Sequence, residues 1–177
     1  MQDQSFSKSP AATDPTADEI VANVLHRLSL VDSPPEPGFN RFTRLASRVA
    51  DAPIALVSFV EERCNRQFFK AAKGLPGGVR QTDLDRSFCK FVSRSGEMLA
   101  VSDAREDARF ADNPIIEEMG VIAYLGAPIS GPGGARLGSL CAIDREPRTW
   151  SDSQKRLMTD LATCLSEHIA LREKRAA

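Results

Sequence analysis

The chain has little of what most compact chemical sites are made from. Its 177 residues include two histidines, one tyrosine, one tryptophan and four cysteines. Cys64, Cys89, Cys141 and Cys164 stand singly, with no C-x-x-C pair, and only His26 and His168 are there to assist them. Zinc and iron–sulfur spacings are therefore missing and no metal site is expected. The cysteines read as reduced and mostly buried small apolar residues. No apolar run approaches the ~20 residues of a membrane-spanning helix, and Met1 to Pro10 is polar throughout, so a cytoplasmic protein without a membrane partner is expected. Lys and Arg total 23 against 24 Asp and Glu, with no basic block or stripe to neutralise phosphates. Nucleic acid is accordingly not expected as a partner. There is also no G-x-x-x-x-G-K cradle and no local nucleophile–base–acid constellation.

What is present is a clear pair of strands. Ile122 to Ile129 and Ala135 to Ile143 are rich in apolar and β-compatible residues, and Gly131-Pro132-Gly133-Gly134 between them breaks pairing and supplies turn conformations. On the second arm Leu137, Ser139, Cys141 and Ile143 share one face and Gly138, Leu140 and Ala142 the other. Neither face is polar, which predicts a central strand covered on both sides.

Elsewhere the pattern alternates helical and extended segments. Met1 to Pro15 has almost nothing to bury and reads as a mobile tail, leaving a single domain over residues 16–174. Thr16-Ala17-Asp18-Glu19 has the capping-box pattern, and the helical spacing of Ile20, Val21, Val24, Leu25 and Leu28 predicts a first amphipathic helix to about Ser29. Prolines 34, 35 and 37 force a turn, and Phe39, Phe42, Leu45, Ala46 and Val49 then mark a second helix that ends by Pro53. Ile54 to Val60 and Gln67 to Ala72 predict a first hairpin. The glycine-rich Lys73 to Arg80 reads as a loop of the kind that covers a site.

Asp83 or Asp85 is placed to cap a short helix through Ser87, Phe88, Cys89, Phe91 and Val92, closed at Gly96. A short strand at Met98 to Ser102 leads into a crossover, Asp103 to Gly120, with two helical pieces. Ser151-Asp152-Ser153-Gln154 is a second capping box. It opens a long helix lined by Leu157, Leu161, Cys164, His168 and Leu171, with Met158, Leu165 and Ile169 beside them. At 1.5 Å per residue this helix spans about 36 Å, more than one small sheet needs, so part of it is expected to meet another chain.

The order of elements from Ile20 to Ile169 resembles the GAF domains of bacterial signalling proteins. The matching segments are the PP-x-x-x-F-x-x-x-T-R-L-A run at Pro34 to Ala46, APIALVS at Ala52 to Ser58, RQFFK at Arg66 to Lys70 and SFC at Ser87 to Cys89. DAREDARFADNP at Asp103 to Pro114, IAYLGAPI at Ile122 to Ile129 and LGSLCAIDREPR at Leu137 to Arg148 complete them. The resemblance implies an α+β fold: an antiparallel sheet of five or six strands, the N- and C-terminal helices on one face, and short helices and loops roofing a cavity on the other. It implies a cavity wall formed by Ser87, Phe88, Cys89, Asp103, Phe110, Tyr124 and the inward side of Leu137 to Ile143, including Ser139 and Cys141. Such domains normally sit upstream of an output domain. None follows before Ala177, which suggests a stand-alone module.

The function so implied is non-enzymatic: a small-molecule- or redox-responsive sensor that signals to a partner protein as a homodimer, through Ile20 to Leu28 and Leu157 to Leu171. In bilin-binding relatives histidine or leucine usually follows the chromophore cysteine. Here Lys90 follows Cys89, so covalent bilin does not fit, and haem on His168 is a poorer reading than a helix-face histidine at an interface. Free-methionine-sulfoxide reductases of the family use several cysteines around the short helix and the strand after it. Met98-Leu99-Ala100-Val101 has none, nor has the crossover, so a resolving cysteine is missing there. A further alternative is a ligand-free scaffold whose cavity is filled by Phe59, Phe68, Phe69, Phe88, Phe91 and Phe110. Asp103, Arg105, Asp107, Arg109 and Asp112 read as either a charged rim or structural bridges. Cys89 reads as either a helix-start thiolate or a buried packing residue, and the lone Tyr124 phenol needs a partner from a ligand or a loop.

Overall fold

The computed structural model describes residues 15–177; the expected tail, apart from Pro15, lies outside the described residues. Two helices open the fold, α1 (Ala17–Arg27) and α2 (Pro37–Ala50), followed by β1 (Ile54–Glu61), β2 (Arg66–Lys73) and β3 (Gln81–Asp83). The short helix α3 (Cys89–Ser95), strand β4 (Leu99–Val101) and helix α4 (Ile115–Met119) lead to the hairpin β5 (Ala123–Ser130) and β6 (Arg136–Asp144). Helix α5 (Asp152–Ala176) closes the chain. The six strands form one sheet in the order β3-β2-β1-β6-β5-β4, antiparallel at each pairing. The strand expected to be central is central, with β1 on one side and β5 on the other.

Local chemistry explains most of the boundaries. Both capping boxes form: Thr16 Oγ1 accepts from the Glu19 N–H and Ser151 Oγ from the Gln154 N–H, while each N3 side chain accepts from the cap backbone. Pro37 does not end a turn but occupies the first position of α2, where its missing N–H costs nothing. Helix α1 stops at Arg27, two residues earlier than expected, because Ser29 takes a left-handed conformation. The segment before β3 is the expected loop; β3 itself was not expected, since three residues carry no periodicity and only pairing with β2 defines it. The crossover holds one helix rather than two, and Asp103 to Ala111 is a chain of tight turns.

The sheet separates two apolar cores. On one side α1, α2 and α5 bury Leu25, Phe39, Ala46, Met158, Leu165 and Ile169 against Val57, Phe59, Phe68, Leu125 and Leu140. Completely burying Phe39 alone is worth roughly 2–3 kcal/mol. On the other side α3, α4 and the turns cover Ile54, Leu56, Phe69, Tyr124, Cys141 and Ile143.

Two expectations about faces are corrected. Phe59 and Phe68 belong to the helix-side core and cannot fill the opposite cavity. Leu137 also sits on the helix side: alternation along β6 breaks at Gly138, whose backbone presses so closely on Ser58 that a Cβ would collide with its carbonyl oxygen. On α5 the inward stripe is Met158, Ala162, Leu165 and Ile169, while Leu157, Cys164 and Leu171 point to solvent. Cys64 is exposed as well, so only two of the four cysteines are buried. Helix α5 packs mainly on α2 and β5; α1 lies on β1 and reaches α5 through its end, where Arg27 pairs with Glu173 at 2.6 Å.

Candidate functional site

The site lies between the sheet and the α3–α4 side, and its polar groups come from elements far apart in sequence. Tyr124 projects from β5 under α3, in the space left by Gly126, where any side chain would strike the phenol ring. Its hydroxyl lies 3.3 Å from Cys89 Sγ and 3.0 Å from Ser139 Oγ. Ser139 donating to Tyr124, and Tyr124 to Cys89, uses each proton once. Cys89 Sγ in turn stands 3.9 Å from Cys141 Sγ on β6.

A second polar group joins this one through Ser58 on β1. Gln67 Oε1 accepts from Ser58 Oγ at 3.2 Å and from Ser87 Oγ at 2.7 Å, while Gln67 Nε2 donates to Thr82 Oγ1 at 2.6 Å. Ser87 also caps α3 by accepting from the Lys90 N–H at 3.0 Å. Neither Asp83 nor Asp85 does so, contrary to expectation: a 3-10 turn over Leu84–Arg86 precedes α3, and the Asp85 carboxylate pairs with Arg86. Among the described residues no buried side-chain polar atom lacks a partner, as folding requires of groups withdrawn from water.

Aromatic rings close the compartment. Phe88 stacks on Phe110 with ring centroids 4.3 Å apart and leans on Tyr124 at 5.4 Å. The remaining space is a cavity of about 40 Å³, room for a few water-sized molecules. Ile54, Leu56, Phe69, Ile143, Phe88, Cys89 and Tyr124 line it, with Leu75, Ile115, Met119 and Val121 as its roof and Gln67, Thr82 and Arg86 as its polar contribution. Arg86 is held at the rim by Glu118 of α4, at 2.7 Å, and by Asp85 at 3.0 Å.

Of the eight residues expected at the site, seven gather here. Phe88, Cys89 and Tyr124 face the cavity, and Ser87, Phe110, Ser139 and Cys141 pack around it. Asp103 does not join them. It pairs with Arg105 at 2.7 Å and accepts from the Arg105 N–H, a self-contained turn repeated by Asp107 and Arg109. The neighbouring guanidinium holds the Asp103 carboxyl below the usual carboxylate range. Gln67 and Thr82 were missed. Gln67 had a weak signal, an uncharged amide beside Phe68 and Phe69 in β2; Thr82 had none.

Electrostatics distinguish the two buried thiols. Hydrogen bonding from Cys141, with help from Tyr124, Ser58 and Ser139, lowers the Cys89 thiol to about 7 against the opposing cost of burial. Burial pushes Cys141 and Tyr124 well up. Of this group Cys89 is the one set to ionise first. Among the described residues no helix is long and apolar enough to cross a membrane.

A sheet with terminal helices on one face and a roofed polar–aromatic compartment on the other defines the class. The chain belongs to the GAF domain family, whose model matches residues 34–169. A relative, Cyclic di-GMP phosphodiesterase PA2567 of Pseudomonas aeruginosa, is 38% identical over 123 residues; the match covers 69% of this chain but 20% of the relative. The fold is similar to the GAF domain of a phosphoenolpyruvate-protein phosphotransferase from Coxiella burnetii, with a TM-score of 0.66, 20% identity and coverage of 89% of this chain and 99% of that one. It is also similar to the free methionine-R-sulfoxide reductase of Neisseria meningitidis, with a TM-score of 0.64, 13% identity and coverage of 94% and 96%.

Proposed function

We propose that this chain is a non-enzymatic sensory domain of bacterial signal transduction, acting in the cytoplasm as a homodimer. One observation carries the reading. The sheet puts a small buried compartment with converging polar groups on one side, and helices that leave Ile20, Leu157 and Leu171 about half exposed on the other. A partner lying along α5 would withdraw both of its exposed leucines, Leu157 and Leu171, from water. Likeness to a Cyclic di-GMP phosphodiesterase over the GAF region alone supports a role in regulating an output activity rather than in performing one.

The input would be a small molecule that meets Gln67, Thr82 and Arg86 with polar groups and the Phe88–Tyr124 wall with an apolar body. Binding would favour one arrangement of α4 and the Lys73 to Arg80 loop. The change would reach α2 and α5 through β1 and β6, whose opposite faces those helices cover. The small size of the cavity supports the scaffold as a second reading, with Phe69, Phe88, Phe91 and Phe110 filling the compartment.

Sedimentation tests the output half. The unmodified chain sediments as a dimer, and the Leu157→Asp/Leu171→Asp variant sediments as a folded monomer at the same concentration. An unmodified chain that is monomeric contradicts output through this face.

A further inference from the structure

Cys89 and Cys141 lie 52 positions apart in sequence, yet their sulfurs are 3.9 Å apart and both are buried. Packing alone explains two small apolar side chains in contact, but not what surrounds them. The Tyr124 hydroxyl, itself accepting from Ser139, donates to Cys89 Sγ at 3.3 Å inside an otherwise apolar compartment. A neutral thiol is a weak acceptor; a thiolate or a sulfur–oxygen adduct makes far more of a buried hydroxyl donor. Cys89 also forms part of the cavity wall, whereas Cys141 lies behind it. One sulfur is therefore placed to meet a small reagent and the other to meet the product.

We propose that Cys89 and Cys141 form a dithiol–disulfide site, oxidised by hydrogen peroxide that enters the cavity. In the first step the Cys89 thiolate attacks one peroxide oxygen: the S–O bond forms, the O–O bond breaks, and the departing oxygen takes up a proton and leaves as water. Cys89 is then a sulfenic acid, with Tyr124 and Ser139 able to hydrogen-bond its oxygen. In the second step the Cys141 sulfur attacks the Cys89 sulfur: the S–S bond forms, the S–O bond breaks, and the hydroxyl leaves as water with the Cys141 proton. Two thiols have given up two electrons, and one peroxide has become two waters. Closing the sulfurs from 3.9 Å to the ~2.05 Å of a disulfide draws the start of α3 onto the central strand and takes from Tyr124 the acceptor it had in the thiol. This inference deepens the sensory reading, on which it rests, by naming an input for the same compartment.

The test uses the full chain carrying Cys64→Ser and Cys164→Ser, both at exposed positions, so that only the buried pair can be alkylated. After hydrogen peroxide, denaturation and alkylation, the intact mass falls by two hydrogens, neither cysteine is alkylated, and one peptide joins Cys89 to Cys141 until dithiothreitol releases it. With Cys141→Ala added, the oxygen stays on Cys89 and is trapped by dimedone; Cys141→Ser gives the same result if the alanine variant fails to fold. Full alkylation of both cysteines after peroxide overturns the proposal, as does an equal dimedone adduct with and without Cys141. Native mass spectra of the reduced chain keep the readings apart: a bound small molecule in a chain that forms no disulfide removes the redox site and leaves the sensor standing.

Discussion

The phenol of Tyr124 stands 3.3 Å from Cys89 Sγ and 3.0 Å from Ser139 Oγ, so one hydroxyl ties the start of α3 to β5 and β6. Tyr124→Phe keeps the ring and deletes that tie. It leaves Ser139 without a partner in a buried site, a cost of about 1–3 kcal/mol. Urea unfolding should show a lower midpoint at an unchanged slope, and an unchanged midpoint would mean that the hydrogen bonds contribute nothing net.

Gly126 is required by the same ring. Gly126→Ala places a methyl group where the Tyr124 phenol lies, and forced repacking of this kind costs about 1–3 kcal/mol. In the Gly126→Ala/Tyr124→Ala double variant the clash is gone. The two changes should therefore be non-additive, with the pair less destabilised than the sum of the singles by about 0.5–3 kcal/mol. Additive effects would place the strain elsewhere.

On the helix side, Glu36 joins the fully buried Lys70 at 2.6 Å to Arg172 of α5 at 2.7 Å. Hydrogen bonding to Arg172, and then to Lys70, lowers the Glu36 carboxyl from 4.5 to about 2. A depressed folded-state pKa means that the unfolded chain binds more protons in this window, so the stability it brings is complete above about 4.5 and fades as the pH falls toward about 2. The stability difference between the unmodified chain and Glu36→Gln should shrink over that range in acid titrations of unfolding. A difference independent of pH would show that Glu36 acts through packing alone.

The features legible in the sequence were those set within a few residues. Thr16 with Glu19, and Ser151 with Gln154, announced both capped helices because a cap is made by its own first turn. Likewise the Gly131 to Gly134 segment announced the central hairpin, and β6 read as central because neither of its faces was polar. What stayed hidden depends on elements meeting across the fold. Cys141 was placed on the cavity wall only by family resemblance, and its contact with Cys89 arises from α3 lying over β6; a search for a resolving cysteine near α3 in sequence could not reach it. The Leu137 face was misassigned because the irregularity at Gly138 answers to a neighbouring strand's carbonyl. The inward stripe of α5 was not separable from the outward Leu157 and Leu171, because helical periodicity identifies an apolar face without saying what covers it.

Native mass spectrometry of the chain, purified without added ligand, tests the central claim most directly, since one spectrum gives both oligomer mass and bound mass. A dimer carrying a defined small-molecule mass, lost when Gln67→Leu removes the amide that Ser58, Ser87 and Thr82 share, is the predicted result. A bare monomer would contradict both halves of the claim, the filled compartment and the helix-side partner.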